Sequence, residues 1–136
     1  MRLITDTLSA TQLKQLLTEV FPHNATIHTI FLSEYMIRNK RKSANPKVGK
    51  YIHITNWREE IIWDEDDDVA FIHAQVCNIS HESLINYCTK STLEAYIIFY
   101  SEDYLLYINS DVVDLISDDP MKIEKLRLLH KKMTSK

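Results

Sequence analysis

The first helix of the chain is predicted by four apolar residues that recur at helical spacing: Leu13, Leu16, Leu17 and Val20. Ser9 is followed three residues later by Gln12, a pairing in which each side chain accepts the backbone N–H of the other at a helix start. Pro22 cannot continue the helical pattern. We therefore expect a helix that begins just after Ser9 and ends before Pro22.

Two further helices are predicted in the second half of the chain. Ser80 is a suitable cap for a short helix over residues 80–90. Asp119 and Pro120 have the residue types that favour the N-cap and the first position of a final helix. The side of this last helix that we expect to face the core carries Ile123, Leu126, Leu129, His130 and Met133.

Strands are predicted where β-branched and aromatic residues cluster or alternate with polar ones. Residues 25–32 favour a strand, and residues 33–36 either extend it or form helix. Alternation is clear in residues 51–55, which residues 60–63 continue after an irregularity, and again in residues 69–76. The strongest hairpin signal joins residues 94–100 to residues 104–109.

These elements predict an α+β fold with about three helices and a mostly antiparallel sheet of four to five strands. Helices on one face of a single sheet are the natural architecture for that pattern. The 136 residues, 45% hydrophobic and 26% charged, suit one globular domain, residues 1–136. The N-terminal residues lack the apolar run of a signal peptide, and no stretch is apolar enough for a membrane span. We expect a cytoplasmic protein that does not contact a membrane.

The chain contains a single glycine, Gly49, and this excludes several classes of enzyme. Loops that hold phosphate groups need several glycines, because the backbone N–H groups must approach the ligand closely. The nucleophile turn of α/β hydrolases needs two. Six histidines are present, but no spacing selects a catalytic set among them. The sequence therefore predicts a protein that is not an enzyme.

A metal site is the next possibility, since His73, Cys77, His81 and Cys88 are residue types that bind zinc. Zinc sites are normally built from two closely spaced pairs of ligands, whereas here the first two residues belong to a predicted strand and the last two to a predicted helix. We interpret the cysteines as reduced, buried thiols and the histidines as surface residues. The expectation is that the protein uses no metal and no cofactor.

The most distinctive local feature is an acidic segment accompanied by two tryptophans. A solvated turn is the simplest interpretation of such a charge run, but exposed aromatic residues beside negative charge also suit the capture of a basic protein. Calcium binding is disfavoured, because the segment lacks the spaced ligands and the central glycine of an EF-hand loop. The candidate partner-binding residues are Trp57, Glu59, Glu60, Trp63, Asp64, Glu65, Asp66, Asp67 and Asp68.

A basic segment of the chain suggests an alternative function, which is nucleic-acid binding. Residues 38–50 contain six basic residues and read as an exposed loop or a protruding hairpin arm. Nucleic acid could bind there through Arg38, Lys40, Arg41 and Lys42, with Tyr35 and Tyr51 available for stacking. The net charge of −3 opposes that interpretation. The sequence leaves nucleic-acid binding as the second hypothesis.

The short acidic chain, the aromatic and acidic segment 57–76 and the segment IIFYSEDYLLYINSDVVDLISDD over residues 97–119 resemble bacterial immunity proteins, particularly those of contact-dependent growth inhibition systems. The resemblance implies an antitoxin that binds a cognate toxin, expected to be a basic nuclease, and covers its active site. Immunity proteins of this kind act in the cytoplasm by protein–protein interaction.

Overall fold

The computed structural model of the protein describes residues 1–54, 56–66 and 68–135. These residues form three α-helices and eight strands. The helices are α1 (Ala10–Val20), α2 (His81–Lys90) and α3 (Pro120–Thr134). The strands are β1 (Arg2–Ile4), β2 (Ile27–Ile37), β3 (Lys40–Ser43), β4 (Trp57–Trp63), β5 (Val69–Ile79), β6 (Ile97–Tyr100), β7 (Leu105–Ile108) and β8 (Val112–Ile116). The α+β class is therefore confirmed.

Each helix begins at the residue that the sequence predicts. The Ser9 hydroxyl accepts the Gln12 backbone N–H at 3.1 Å, and the Gln12 side chain accepts the Ser9 N–H at 2.9 Å, which completes the capping box. The Ser80 hydroxyl accepts the N–H of Ser83 at 3.0 Å. The Asp119 carboxylate accepts the N–H of Met121 at 2.9 Å. No helix in the described ranges is both long enough and apolar enough to cross a membrane.

The eight strands form one antiparallel sheet, which is larger than the four to five strands expected. Its order is β1-β8-β7-β6-β2-β5-β4, and β3 pairs with β2 outside that path. Strand β2 is long enough to serve two neighbours along one edge: residues 28–31 pair with β6, and residues 34–37 pair with β3. The additional strands are β1, β3 and β8.

The helices cover one face of the sheet, here called the inner face. Alternate residues of β2, β5, β6, β7 and β8 are buried there against α1, α2 and α3, in one continuous core. The largest buried side chains include Tyr87, Phe21, Phe99, Leu16 and Leu17. Thr29 is buried in the same core, and its hydroxyl is satisfied because it donates to the carbonyl oxygen of Ile98 at 2.8 Å. The opposite, outer face carries no helix in the part of the chain described.

Residues 51–54 do not form the strand that their alternation predicts, and Thr55 lies outside the described residues. Strand β3 lies on the β6 side of β2, whereas β4 lies beyond β5, so the connecting segment must cross the inner face. A short 3-10 helix, Val48–Lys50, lies in that crossing, and Val48 and Ile52 are buried in the core. The segment 38–50 is thus a hairpin arm in its first part, but its second part is not a fully exposed loop.

Six positions in the described residues adopt left-handed backbone conformations, and none of them is glycine: Arg38, Asn39, Asn45, Lys47, Asn78 and Leu93. Arg38 and Asn39, with φ of 51° and 66°, form the two-residue turn between β2 and β3. Positive φ at both positions is the signature of a type I′ hairpin turn. Asparagine tolerates this conformation better than most residues, and arginine gains nothing from it. The single glycine is not used where its conformational freedom would help.

Candidate protein-binding surface

Strand β4 is the last strand of the sheet and carries the predicted aromatic and acidic residues. It pairs only with β5 among the described residues, and all seven of its side chains are exposed. Trp57 remains 50% exposed and Trp63 43% exposed. Neither tryptophan is therefore used to fill the core. Strand β4 thus presents two large aromatic side chains to whatever approaches this edge.

The register with β5 divides the side chains of β4 between the two faces of the sheet. Trp57, Glu59, Ile61 and Trp63 lie opposite buried residues of β5 and so belong to the inner face. Arg58, Glu60 and Ile62 lie on the outer face, where Glu60 is directly opposite His73. The tryptophans remain exposed although they are on the helical face, because β4 lies at the margin of the sheet.

The acidic turn, here residues 64–68, connects β4 to β5. The Asp64 carboxylate accepts the backbone N–H groups of Asp68 at 3.1 Å and Val69 at 3.3 Å, so it stabilises the turn rather than facing a partner. The side chains of Glu65, Asp66 and Asp68 are exposed. Asp67 lies outside the described residues. The predicted acidic surface is therefore divided between one structural carboxylate and several that are open to solvent.

The basic residues lie at the same end of the sheet as the acidic turn. Arg41 on β3 donates to Glu34 at 2.7 Å and to Glu59 at 2.9 Å, and the hydrogen bonds to these carboxylates raise the pKa of Arg41. Arg38, Lys40 and Lys42 are exposed. The two sequence segments that suggested different partners thus form one surface of mixed charge, in which Arg41 neutralises part of the acidic side.

A shallow cavity of about 330 Å³ lies on the outer face next to β4. Its lining is mainly apolar and aromatic: Ile30, Glu60, Ile62, His73, Tyr96, Ile97, Ile98 and Tyr107. Tyr96 is 68% exposed, and the Nδ1 atom of His73 is buried without a hydrogen-bond partner. The sequence singles out only two of these residues, Glu60 for partner binding and His73 as a candidate zinc ligand. The signal that could have found the cavity is that β6 carries apolar or aromatic residues on both faces. A strand with one solvated face normally carries polar residues on that face.

The four residues considered as zinc ligands are not brought together. His73 lies on the outer face of β5, and Cys88 is buried in the core, where burial raises the pKa of its thiol. Cys77 is exposed rather than buried as expected. His81 packs against His23 with ring centroids 4.1 Å apart. Within the described ranges, no three His, Cys, Asp or Glu residues are grouped so that they could hold a metal ion.

Comparison of the chain with models of protein families, with curated proteins and with solved structures finds no match in any of the three. The surface around β4 must therefore be interpreted from its own chemistry.

Proposed function

We propose that this protein binds a basic protein through β4 and the acidic turn, and that the partner is a toxin, specifically a nuclease, whose active site becomes covered. The observation that carries the proposal is that two half-exposed tryptophans lie on an edge strand that runs directly into exposed carboxylates. In this proposal the protein acts in the cytoplasm as an immunity protein and catalyses no reaction.

The tryptophans and the carboxylates contribute differently to the free energy of binding. An aromatic side chain offers roughly 200 Å² of surface, so burying the exposed half of one tryptophan contributes about 2.5 kcal/mol at roughly 25 cal/mol per Å². An exposed ion pair contributes only about 0.2 to 1 kcal/mol. Trp57 and Trp63 therefore supply the affinity. The carboxylates of Glu65, Asp66 and Asp68 accelerate encounter with a basic surface.

Occlusion follows from the shape of this edge. A standard interface buries about 1,600 Å² in total, and a seven-residue strand with its turn is a suitable centre for one. A nuclease active site must attract phosphate groups and is therefore basic. Carboxylates that occupy the same position compete directly with the nucleic acid, so binding alone is enough to inhibit the enzyme.

Nucleic-acid binding through the basic arm is the weaker alternative. Arg41 already donates to two carboxylates, and the acidic turn lies beside the exposed residues Arg38, Lys40 and Lys42. A polyanion that approached the arm would also meet those carboxylates, which repel it. The charge arrangement therefore favours a basic protein over a nucleic acid.

The proposal is tested by capture of the partner with the tagged protein from its native host, with and without nuclease treatment. The test variant combines Trp63→Ala with Asp66→Lys and Asp68→Lys. Its matched control combines Met121→Ala with Asp118→Lys and Glu124→Lys, which removes one exposed apolar side chain and reverses two exposed carboxylates near α3. Thermal melts of both variants check that each remains folded.

We expect the wild type and the control to capture one basic protein in a stoichiometric amount after nuclease treatment, and the test variant to lose it. The captured protein should show nuclease activity that the wild type inhibits. If the test variant and the control captured the partner equally, this surface would have no role in binding. Recovery of nucleic acid that is released at high salt would establish the basic arm as the functional element instead.

A further inference from the structure

The free edge of β4 exposes backbone groups whose direction can be deduced from the sheet. The N–H of Asp64 donates to the carbonyl oxygen of Val69 at 2.8 Å, so these two residues form a hydrogen-bonded pair. In an antiparallel ladder such pairs alternate with non-hydrogen-bonded ones. By the register of β4 with β5, the backbone N–H and C=O groups of Trp57, Glu59, Ile61 and Trp63 point away from β5. Every second residue of β4, four in all, thus presents backbone donors and acceptors that have no partner among the described residues.

The charges along the strand decide which kind of chain can occupy that edge. Glu59 and Glu60 lie at its centre, and the acidic turn follows directly. Charged residues on an edge strand are a common means of preventing two copies from pairing. The edge therefore disfavours a second copy of this chain and suits a basic segment.

The two faces place different demands on an added strand. On the inner face, Glu59 is neutralised by Arg41, and its neighbours in that row are Trp57, Ile61 and Trp63, so apolar side chains suit positions opposite this row. On the outer face, Glu60 has no ion-pair partner among the described residues. A basic side chain opposite Glu60 would be paired there, above the cavity that Glu60 also lines.

We propose that β4 binds an extended, basic segment of its protein partner as a ninth strand of the sheet, with basic residues opposite Glu60 and apolar residues opposite the tryptophan row. This inference rests on the proposed function, and it specifies how the basic partner is held. Backbone hydrogen bonds give affinity in this mode of recognition, and alternate side chains give specificity.

The first test uses a synthetic peptide, acetyl-Val-Lys-Val-Lys-Val-Thr-Val-amide, in an NMR titration of the isotope-labelled protein. In the antiparallel register its first valine lies opposite Trp63 and its second lysine opposite Glu60. The valines then form hydrogen-bonded pairs with β4, so their N–H groups point toward the protein, whereas those of Lys and Thr point away. A version with Glu in place of both Lys residues tests the role of charge.

We expect the basic peptide to shift the amide signals of β4, and the Glu version to bind at least tenfold more weakly. N-methylation of the second, third and fourth valines should abolish binding, whereas N-methylation of the two Lys residues and the Thr residue should change the affinity less than threefold. No binding by the basic peptide, or equal effects of the two methylation patterns, would overturn strand addition.

The second test uses the protein itself. The N–H of Ile61 points away from β5, so Ile61→Pro removes one donor from the free edge and leaves the ladder with β5 intact. Ile61→Ala is the matched control for loss of the side chain. We expect Ile61→Pro to bind the peptide and the captured partner at least tenfold more weakly than Ile61→Ala does. Equal binding by the two variants would overturn the inference.

The outcomes separate this inference from the proposed function. If a basic nuclease is captured but binds Ile61→Pro as well as Ile61→Ala, strand addition is wrong and the function stands. If the peptide shows the expected methylation pattern but no basic protein depends on the acidic turn, strand addition stands and the function is wrong. A dimer of the wild type in sedimentation that Ile61→Pro abolishes would identify a second copy as the occupant and overturn the inference.

Discussion

The backbone N–H of Arg38 donates to the carbonyl oxygen of Asp68 at 3.1 Å. This bond joins the turn of the basic hairpin arm to the last residue of the acidic turn. It is possible because Ile37 pairs with Val69, so that the two turns leave the sheet at the same end. Two segments that are 30 residues apart in the sequence therefore form a single surface. A change in the conformation of one turn affects the position of the other.

The turn formed by Arg38 and Asn39 is expected to be a site where stability can be increased. Both residues have positive φ, for which Asn-Gly is the preferred pair in a type I′ turn. Replacing Arg38→Asn together with Asn39→Gly relieves the left-handed strain and keeps the N–H that donates to Asp68. We expect the free energy of unfolding to rise by about 1 kcal/mol and the melting temperature by about 3 to 5 °C, as measured by calorimetry.

The control for this prediction is Lys40→Gly. Lys40 lies in β3 beside the turn and is exposed, but its φ is not positive. Glycine there gains no relief of strain and costs backbone entropy, so the melting temperature should fall. A rise with both variants would show that charge removal, and not backbone conformation, controls the stability of the arm.

His81 should make the stability of the protein depend on pH. Burial is the main cause that lowers the pKa of His81 from its ordinary value of 6.5, and the charges of His23 and Lys14 lower it further. Between the unfolded and the folded pKa, the unfolded chain binds the proton and the folded chain does not. The contribution of His81 to the free energy of unfolding is therefore fully present above about pH 6.5. It is lost as the pH falls from that value toward the lower pKa of the folded state.

This pH dependence is measured by urea denaturation between pH 7.5 and pH 5. We expect His81→Gln to reduce the loss of stability over that range relative to the wild type. His53→Gln serves as the control because His53 is exposed and lies in the segment that precedes β4. The same reduction in both variants would contradict a specific role of His81.

The two cysteines are expected to differ in their reactivity. Cys77 is exposed on β5, whereas Cys88 is buried on α2 and burial raises the pKa of its thiol. Because the thiolate is the reactive form, iodoacetamide at pH 8 should add one label to the native protein and two in denaturant. Mass spectrometry counts the labels. The variant Cys77→Ser should remain unlabelled in its native state, and rapid labelling of that variant would contradict the burial of Cys88.

The helices and the longer strands could be predicted because local signals and tertiary contacts agree there. Ser9, Ser80 and Asp119 each cap a helix as their residue types indicate. Strand β3 is predicted only as one of two alternatives, a hairpin arm or an exposed loop, because its sequence, KRKS, has no apolar residue, and it forms because β2 extends far enough to pair with it. Strand β1 has only three residues, and the apolar run of residues 112–116, which forms β8, is not predicted as a strand.

The candidate site was predicted in part. The exposure of Trp57 and Trp63 follows from their neighbours, since tryptophans within a charged segment are not easily buried. The alternation of residues 51–54 predicted a strand, but the need to cross the inner face overrides it and buries Ile52. The contact between Arg41 and Glu59 could not be read from the sequence, because it depends on the order of four strands.

Because all seven side chains of β4 are exposed, none of them contributes to the buried core. Substitutions along this strand should therefore change what the protein recognises while hardly affecting whether it folds. Selection by a changing partner could then alter β4 rapidly, whereas the inner-face residues of β2 and β5 would stay under the constraint of packing. Among descendants of one ancestor that match different partners, sequence variation is expected to concentrate in β4 and to spare the strand it pairs with.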